Sequence, residues 1–392
     1  MDFIRSEKLY AEESLFSQAV EAGEMFFTAQ DARLASHSGL NLGDVETQAR
    51  SSFENLKTIL EISDIGIENV MSLMIYLTNY KDLPAILRII DAYFPDPEKL
   101  YPATSFIGAM SLDGGCSLRL EVVATSSSHR EQIRVENVGL AQGSKCHGVG
   151  VGDLIFLSGV DASNPDGTMF GPDDEKAQTA KVYEKIQAIA QRTGLSLGNL
   201  TKTFTFLPDA EYRPGYMETR KVSYKGHFEE DSFPANTGII VKDLGDDVLF
   251  KVVPIMSRHR DRAYITSEKA WHARGLFSQA VRVGNWLFLA GQDSMGPDGK
   301  CHFPHDLKAQ TQEALSHIKY VLEAAGGSLA NIVRTTCYLV EGQDRSQFAA
   351  EYKNFFTLHN RGNHTPPGLT LGVKSLYLNC VVEIDATAYM QK

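Results

Sequence analysis

A chain of 392 residues, 43% hydrophobic and 22% charged, is too long for one ordinary core and suits two or three globular domains. Forty-nine acidic against thirty-eight basic side chains give a net charge of −11, and no basic run interleaves with aromatics, which excludes a phosphate-tracking stripe and argues against a nucleic-acid partner. No apolar run approaches the ~18 residues of a membrane span, and the start, Met-Asp-Phe-Ile-Arg-Ser-Glu, lacks a basic and apolar leader, so a cytoplasmic protein with no membrane attachment is expected. Cys116, Cys146, Cys301, Cys337 and Cys380 are odd in number and lack CxxC spacing, which predicts reduced thiols without disulfide or zinc site.

The chain repeats itself. Phe16-Ser-Gln-Ala-Val20 returns letter for letter at Phe277-Ser-Gln-Ala-Val281, each ten residues after a Ser-Glu-Lys. The offset is about twice a sensible domain length, so a third copy belongs between them. Val151-Gly-Asp-Leu-Ile-Phe-Leu-Ser-Gly159 supplies it, matching Val283-Gly-Asn-Trp-Leu-Phe-Leu-Ala-Gly291. Strings beginning at Asn69, Asn199 and Asn331 fix the register and predict units over 1–128, 129–260 and 261–392.

Within each unit the elements follow one order. A strand or hairpin comes first, Ala280 to Gly291 in the third unit, closed by the turn Gly296-Pro-Asp-Gly299; Asn164-Pro-Asp-Gly167 is its counterpart in the second. An amphipathic helix follows, with Val45, Ala49, Phe53, Leu56 and Leu60 behind the N-cap Asp44, and Leu307, Thr311, Ala314, Ile318 and Leu322 behind Asp306. A strand starting at Asn69, Asn199 or Asn331 is next, where asparagine favours the turn. A second helix ends at Tyr93-Phe94, His227-Phe228 or Phe355-Phe356. The closing strand alternates, Leu118, Leu120 and Val122 on one face and Arg119 and Glu121 on the other. The pattern is α+β, helices covering one sheet face and leaving the other bare. Three units closing around an axis would cover all three bare faces, with ligand grooves between them.

The order Ser-Glu-Lys, a hydrophobic-Ser-Gln-Ala-Val strand, a Phe-x-Ala/Ser-Gly-Gln turn, a helix, a Pro-Ala-x-Ser/Thr segment and a closing Val-Glu-Ile-Asp/Glu-Ala strand resembles the YjgF/RidA (Rid) family over nearly the whole chain. The resemblance implies three tandem chorismate-mutase-like domains forming an intramolecular pseudo-trimer, which further dimerisation would extend, with a small-molecule substrate between units. The family's best-known members hydrolyse reactive enamines and imines to ketones and ammonia without a cofactor. Their Pro-Ala-Arg-Ser arginine, which grips a substrate carboxylate, is replaced here by Thr104, Asn236 and Gly368. The family's closing-strand glutamate aligns with Glu121, Lys251 and Asp385, and the tyrosine of its first strand with Phe16, Lys145 and Phe277.

These positions give the candidates. Glu121 and Asp385 are the expected general bases toward water, the alternative being ion pairs across the interface, with Arg119 a candidate partner. Phe16, Thr104, Arg119, Lys145, Asn236, Lys251, Phe277 and Glu383 are the expected substrate contacts; Lys251 alternatively neutralises Glu121 or Asp385. Cys146-His147 lies in a strand, where neighbours face opposite ways and form no dyad. Cys301-His302-x-x-His305 lacks a fourth ligand, so no metal is expected, and Gly148-Val-Gly150-Val-Gly152 reads as a bend. The expected function is hydrolysis or deamination of a ring-bearing or unusual imine or enamine. The alternatives are a ligand-binding or scaffold protein that has lost its chemistry, and a tautomerase or ring-opening hydrolase.

Overall fold

A computed structural model describes residues 1–10, 15–33, 43–96, 100–271, 277–360 and 364–390. The first unit runs β1 (Asp2–Ile4), β2 (Ala19–Ala22), β3 (Met25–Gln30), α1 (Val45–Glu61), β4 (Val70–Leu77), α2 (Leu83–Tyr93), β5 (Ala103–Gly108), β6 (Ser111–Leu112) and β7 (Leu118–Thr125). The second runs β8 (Arg130–Ile133), β9 (Gly148–Val151), β10 (Leu154–Leu157), α3 (Glu175–Arg192), β11 (Leu200–Leu207), α4 (Arg213–Tyr224), β12 (Ala235–Ile240) and β13 (Lys251–Ser257). The third runs β14 (Arg262–Ile265), β15 (Ala280–Val283), β16 (Trp286–Leu289), α5 (Leu307–Ala324), β17 (Ile332–Val340), α6 (Arg345–His359), β18 (Gly368–Val373) and β19 (Val382–Tyr389). Each sheet has the same order, with the closing strand between the hairpin and the strand that follows the asparagine.

Local chemistry sets these elements. Asp44 and Asp306 cap α1 and α5, accepting from the backbone N–H of Thr47 and Ala309. Asn69, Asn199 and Asn331 donate to the carbonyls of Thr125, Ser257 and Tyr389, so the asparagine that starts each middle strand ties down the end of the closing strand. Two expectations are corrected. Gly148–Val151 is a paired strand and not a bend, because β8 and β10 satisfy its backbone on both sides. The second helix of the middle unit stops at Tyr224, short of His227-Phe228, while its counterpart in the third continues to His359.

Each sheet has a private core under its helices: Phe53 and Leu56 with Leu120 and Val122, Ile186 and Ile189 with Ile155 and Val252, and Ile318 and Leu322 with Leu287 and Ile384. The opposite faces share a fourth core, in which Met74 and Tyr76, Phe204 and Phe206, and Val281 and Tyr338 meet. The bare faces cover one another, as the alternation in β7 requires. The units close head to tail. Gly108 N–H donates to Asp243 (2.9 Å), Lys374 N–H to Ile240 (2.9 Å), and Met110 N–H to Gly372 (2.8 Å), where β6 crosses over to extend the third unit's sheet. Among the described residues no helix is long and apolar enough to cross a membrane.

Candidate active site

The strand ladders decide which side chains reach the grooves. Opposite Tyr76, Phe206 and Tyr338 stand Arg119, Lys251 and Glu383; two residues on, opposite Met74, Phe204 and Thr336, stand Glu121, Val253 and Asp385. Lys251 therefore belongs with Glu383 and Arg119, not with Glu121 and Asp385 as the sequence alignment had it. Both rows face inward, but they meet different neighbours.

The second row lies on the axis, and neither expected base is in a groove. Glu121 accepts from Thr336 Oγ1 (2.5 Å) and Tyr76 Oη (3.2 Å) and lies 3.4 Å from Arg334 Nε. Asp385 accepts from Arg334 Nη2 (2.9 Å) and Thr237 Oγ1 (2.6 Å) and is ion-paired with Lys202. Two acids and two bases from all three units thus neutralise each other in the buried interior. The lysine that neutralises Asp385 is Lys202, not Lys251.

The first row faces the grooves, and in each an aspartate from the loop after the hairpin approaches it. Asp31, Asp161 and Asp293 occupy the same place, each accepting from the backbone N–H two residues on, that of Arg33, Ser163 and Met295. What they meet differs.

In the groove between the first and third units, Arg119 pairs with Asp31 (3.4 Å) and Asp113 (3.1 Å), Arg33 grips Asp31, and Arg345 of the third unit reaches Asp113. Burial pushes the Asp31 carboxyl up, but Arg119 and Arg33 outweigh it and hold it below its ordinary value. Phe16 packs edge-on against Tyr352, and the remaining space is about 30 Å³, room for about one water.

Between the first and second units the equivalent side chains hold one another. Lys251 lies 3.7 Å from Asp161 and 3.3 Å from Tyr80 Oη and donates to Leu244 O (3.0 Å). Thr104 is fully buried, its N–H held by Ser158 Oγ (3.1 Å). Lys145 stands outside on the surface near Asp91 (3.6 Å). Cys146 donates to Tyr101 O, and both ring nitrogens of His147 meet backbone groups, so neither side chain is poised for chemistry.

The groove between the second and third units is open, with a cavity of about 130 Å³. Glu383 stands where the others have a cation, so the aspartate of this groove meets a second carboxyl. Among the described residues Glu383 forms neither ion pair nor hydrogen bond, and its Oε1 lies so close over Gly291 that a Cβ there would sit 2.0 Å away. Burial, then the charge of Asp293, raises Glu383 to about 8; burial, then against it the Met295 N–H, leaves Asp293 at about 7. The two carboxyls therefore share a proton near neutrality. Asn236 Oδ1 accepts from the Thr203 and Thr205 hydroxyls (2.8 Å each), which turns its amide N–H groups toward the cavity. Trp271 and Phe277 form an apolar wall.

Of the sequence candidates, this cavity gathers Asn236, Phe277 and Glu383. Sequence reading missed Asp293, although an aspartate at that place in all three units was there to be found, and Arg213, for which no motif speaks. Among the described residues no cluster of three or more His, Cys, Asp or Glu is arranged to hold a metal; His302 instead contacts Glu313 (3.1 Å).

The family described as Endoribonuclease L-PSP matches the chain three times, over residues 7–126, 140–256 and 267–390. A RutC family protein of Pyrococcus abyssi is 34% identical over 127 residues, 32% of this chain and 96% of its own length. The 2-iminobutanoate/2-iminopropanoate deaminase of Escherichia coli (strain K12) is 33% identical over 124 residues, 32% of this chain and 94% of that protein. Among solved structures, a chorismatase superposes over 82% of this chain and 93% of its own with a TM-score of 0.58 at 14% identity, a likeness of fold.

Proposed function

The chain belongs to the Endoribonuclease L-PSP family, the Rid family, with three members' worth of fold in one polypeptide, and from that premise we propose that it is a cofactor-independent deaminase with one working groove, between the second and third units. The observation that carries this reading is the Glu383–Asp293 carboxyl pair, neither member of which forms an ion pair among the described residues, in an open cavity where the equivalent positions elsewhere are Arg119–Asp31 and Lys251–Asp161 ion pairs. The reaction is R₂C=NH + H₂O → R₂C=O + NH₃. Protonated Glu383 gives its proton to the imine nitrogen, and ionised Asp293 takes one from the attacking water as the C–O bond forms. Asp293 then returns its proton to the amine. Glu383 takes the hydroxyl proton as the C–N bond breaks, releasing ammonia and restoring both groups. The deaminase relative and the net charge of −11 support a small-molecule substrate over RNA.

The test is ammonia release from freshly generated imines. Wild type is expected to exceed the buffer rate, with Glu383→Gln and Asp293→Asn each reducing it by about 10²-fold or more. The rate should peak between pH 7 and 8, falling below as Asp293 is protonated and above as Glu383 ionises. A wild type no faster than buffer, or an undiminished Glu383→Gln variant, rejects the reading.

A further inference from the structure

The loop that carries Asp293 also carries a thiol, and a second thiol meets it. Asp293, Ser294 and Cys301 belong to the connection between β16 and α5, and Cys380 lies in the turn before β19, three residues ahead of Glu383. The Ser294 hydroxyl lies 3.4 Å from Cys301 Sγ and 3.7 Å from Cys380 Sγ, so the two sulfurs flank one oxygen. Both cysteines are free; Cys380 is buried, while Cys301 is half-buried at the head of a stretch, 303–306, that stands in solvent. Burial, then the charge of Asp293, then Cys301 beside it push the Cys380 thiol up, so it stays protonated next to its neighbour. The second unit has Met169 and Val248 at these two places, the first identified by the matching bridges Ser163–Met169 and Met295–Cys301, the second by its position three residues ahead of Lys251. The pair therefore belongs to the unit whose aspartate and glutamate face the open groove.

Both thiol-bearing turns are strained. Phe303, two residues past Cys301, has a φ of 51° where the second unit has Gly171 at 56°. Leu378 and Asn379, directly before Cys380, have φ of 44° and 63° where the first unit has Gly114 and Gly115. Left-handed backbone is costly for residues with a Cβ, and the Phe303 and Leu378 side chains are exposed, so burial does not repay it. Each turn can relax as its sulfur moves. We propose that Cys301 and Cys380 are a dithiol that a peroxide oxidises to a disulfide, stapling the Asp293 loop to the start of β19. Cys301, the accessible thiol, loses its proton and attacks the peroxide O–O bond, keeping one oxygen as a sulfenic acid while the other leaves as an alcohol or water. Cys380 Sγ then attacks the oxidised sulfur, its proton departing with the oxygen as water, for a balance of 2 R–SH + R′OOH → R–S–S–R + R′OH + H₂O. Closing the bond to about 2.05 Å expels the Ser294 hydroxyl from between the sulfurs and shifts the neighbouring Asp293 relative to Glu383.

The test uses the full chain, reduced and then exposed to hydrogen peroxide, with its cysteine peptides mapped by mass spectrometry without reduction. A pair of peptides joined through Cys301 and Cys380 is expected, with two of the five thiols lost and then restored by dithiothreitol. Cys301→Ser changes a half-buried position and should keep the circular dichroism of wild type while forming no crosslink. Cys380→Ala should also form none, and its Cys301, without a resolving thiol, should proceed to the sulfinic acid. For the proposed deaminase, on which this consequence rests, oxidation should reduce ammonia release at least tenfold in wild type and leave Cys301→Ser unaffected, with dithiothreitol restoring the wild-type rate. Peroxide that leaves all five thiols free, joins Cys301 to a second copy of the chain, or takes wild-type Cys301 to the sulfinic acid without a crosslink overturns the inference. A crosslink with undiminished ammonia release overturns the effect of the staple on Asp293. A crosslink in a chain that releases no ammonia, reduced or oxidised, rejects the deaminase and leaves the dithiol in place.

Discussion

At the scale of single residues, the groove and the axis obey opposite electrostatic rules. Glu383 and Asp293 are buried acids whose pKa values are raised, so the folded state binds more protons than the unfolded one between their ordinary values and about 7 to 8. Stability is then fullest below pH 4 to 5 as far as this pair is concerned, and it is lost as pH rises through the folded values. Glu383→Gln removes that loss. It should leave stability at pH 5 nearly unchanged and raise it at pH 9 by about 2–4 kcal/mol, read from denaturant midpoints. A variant less stable than wild type at pH 9 would show that the carboxylate is paired after all. Gly291 gives a second residue-scale outcome. A Cβ would sit 2.0 Å from Glu383 Oε1, and the side chain, not the backbone, has to yield. Gly291→Ala should therefore keep the fold while displacing the carboxyl and reducing kcat by about 10²-fold.

At the scale of elements, α4 both builds the cavity and braces it. Tyr216 Oη accepts from Arg220 Nη1 (2.6 Å) and lies 3.3 Å from Thr205 Oγ1 on β11, which in turn orients Asn236. Tyr216→Phe leaves the buried Arg220 without that acceptor and should cost about 1–3 kcal/mol, measured by urea denaturation; an unchanged midpoint would show that Arg220 is satisfied elsewhere. The elements themselves were legible in the sequence because their signals are local: the N-cap Asp44 and Asp306, the helical spacing behind them, the asparagine before each middle strand. The site was legible only in part. Strand alternation puts Glu383 and Asp385 on the same inward face, and periodicity cannot tell a groove position from an axial one two residues away. That distinction comes from Asp293 and Arg213, which reach Glu383 from a loop and a helix start about 90 and 170 residues earlier in the chain, separations that carry no periodic signal.

At the scale of the whole molecule, Arg334 is the residue on which the ring's closure turns. It comes from the third unit, bonds Asp385 beside it, approaches Glu121 of the first, and lies over Phe204 of the second at 4.9 Å. Arg334→Met keeps most of the volume and the apolar contact but leaves two buried carboxylates with Lys202 as their cation. Breaking such a network from one side costs about 3–5 kcal/mol. Because the shared core joins all three sheets, the variant should lower one cooperative transition and not release one unit ahead of the others. Far-ultraviolet circular dichroism and the fluorescence of Trp271 and Trp286, both in the third unit, would follow the same curve in wild type and variant. Separated transitions would mean that each private core holds its unit alone, and that the axial charges select how the units are arranged without binding them together.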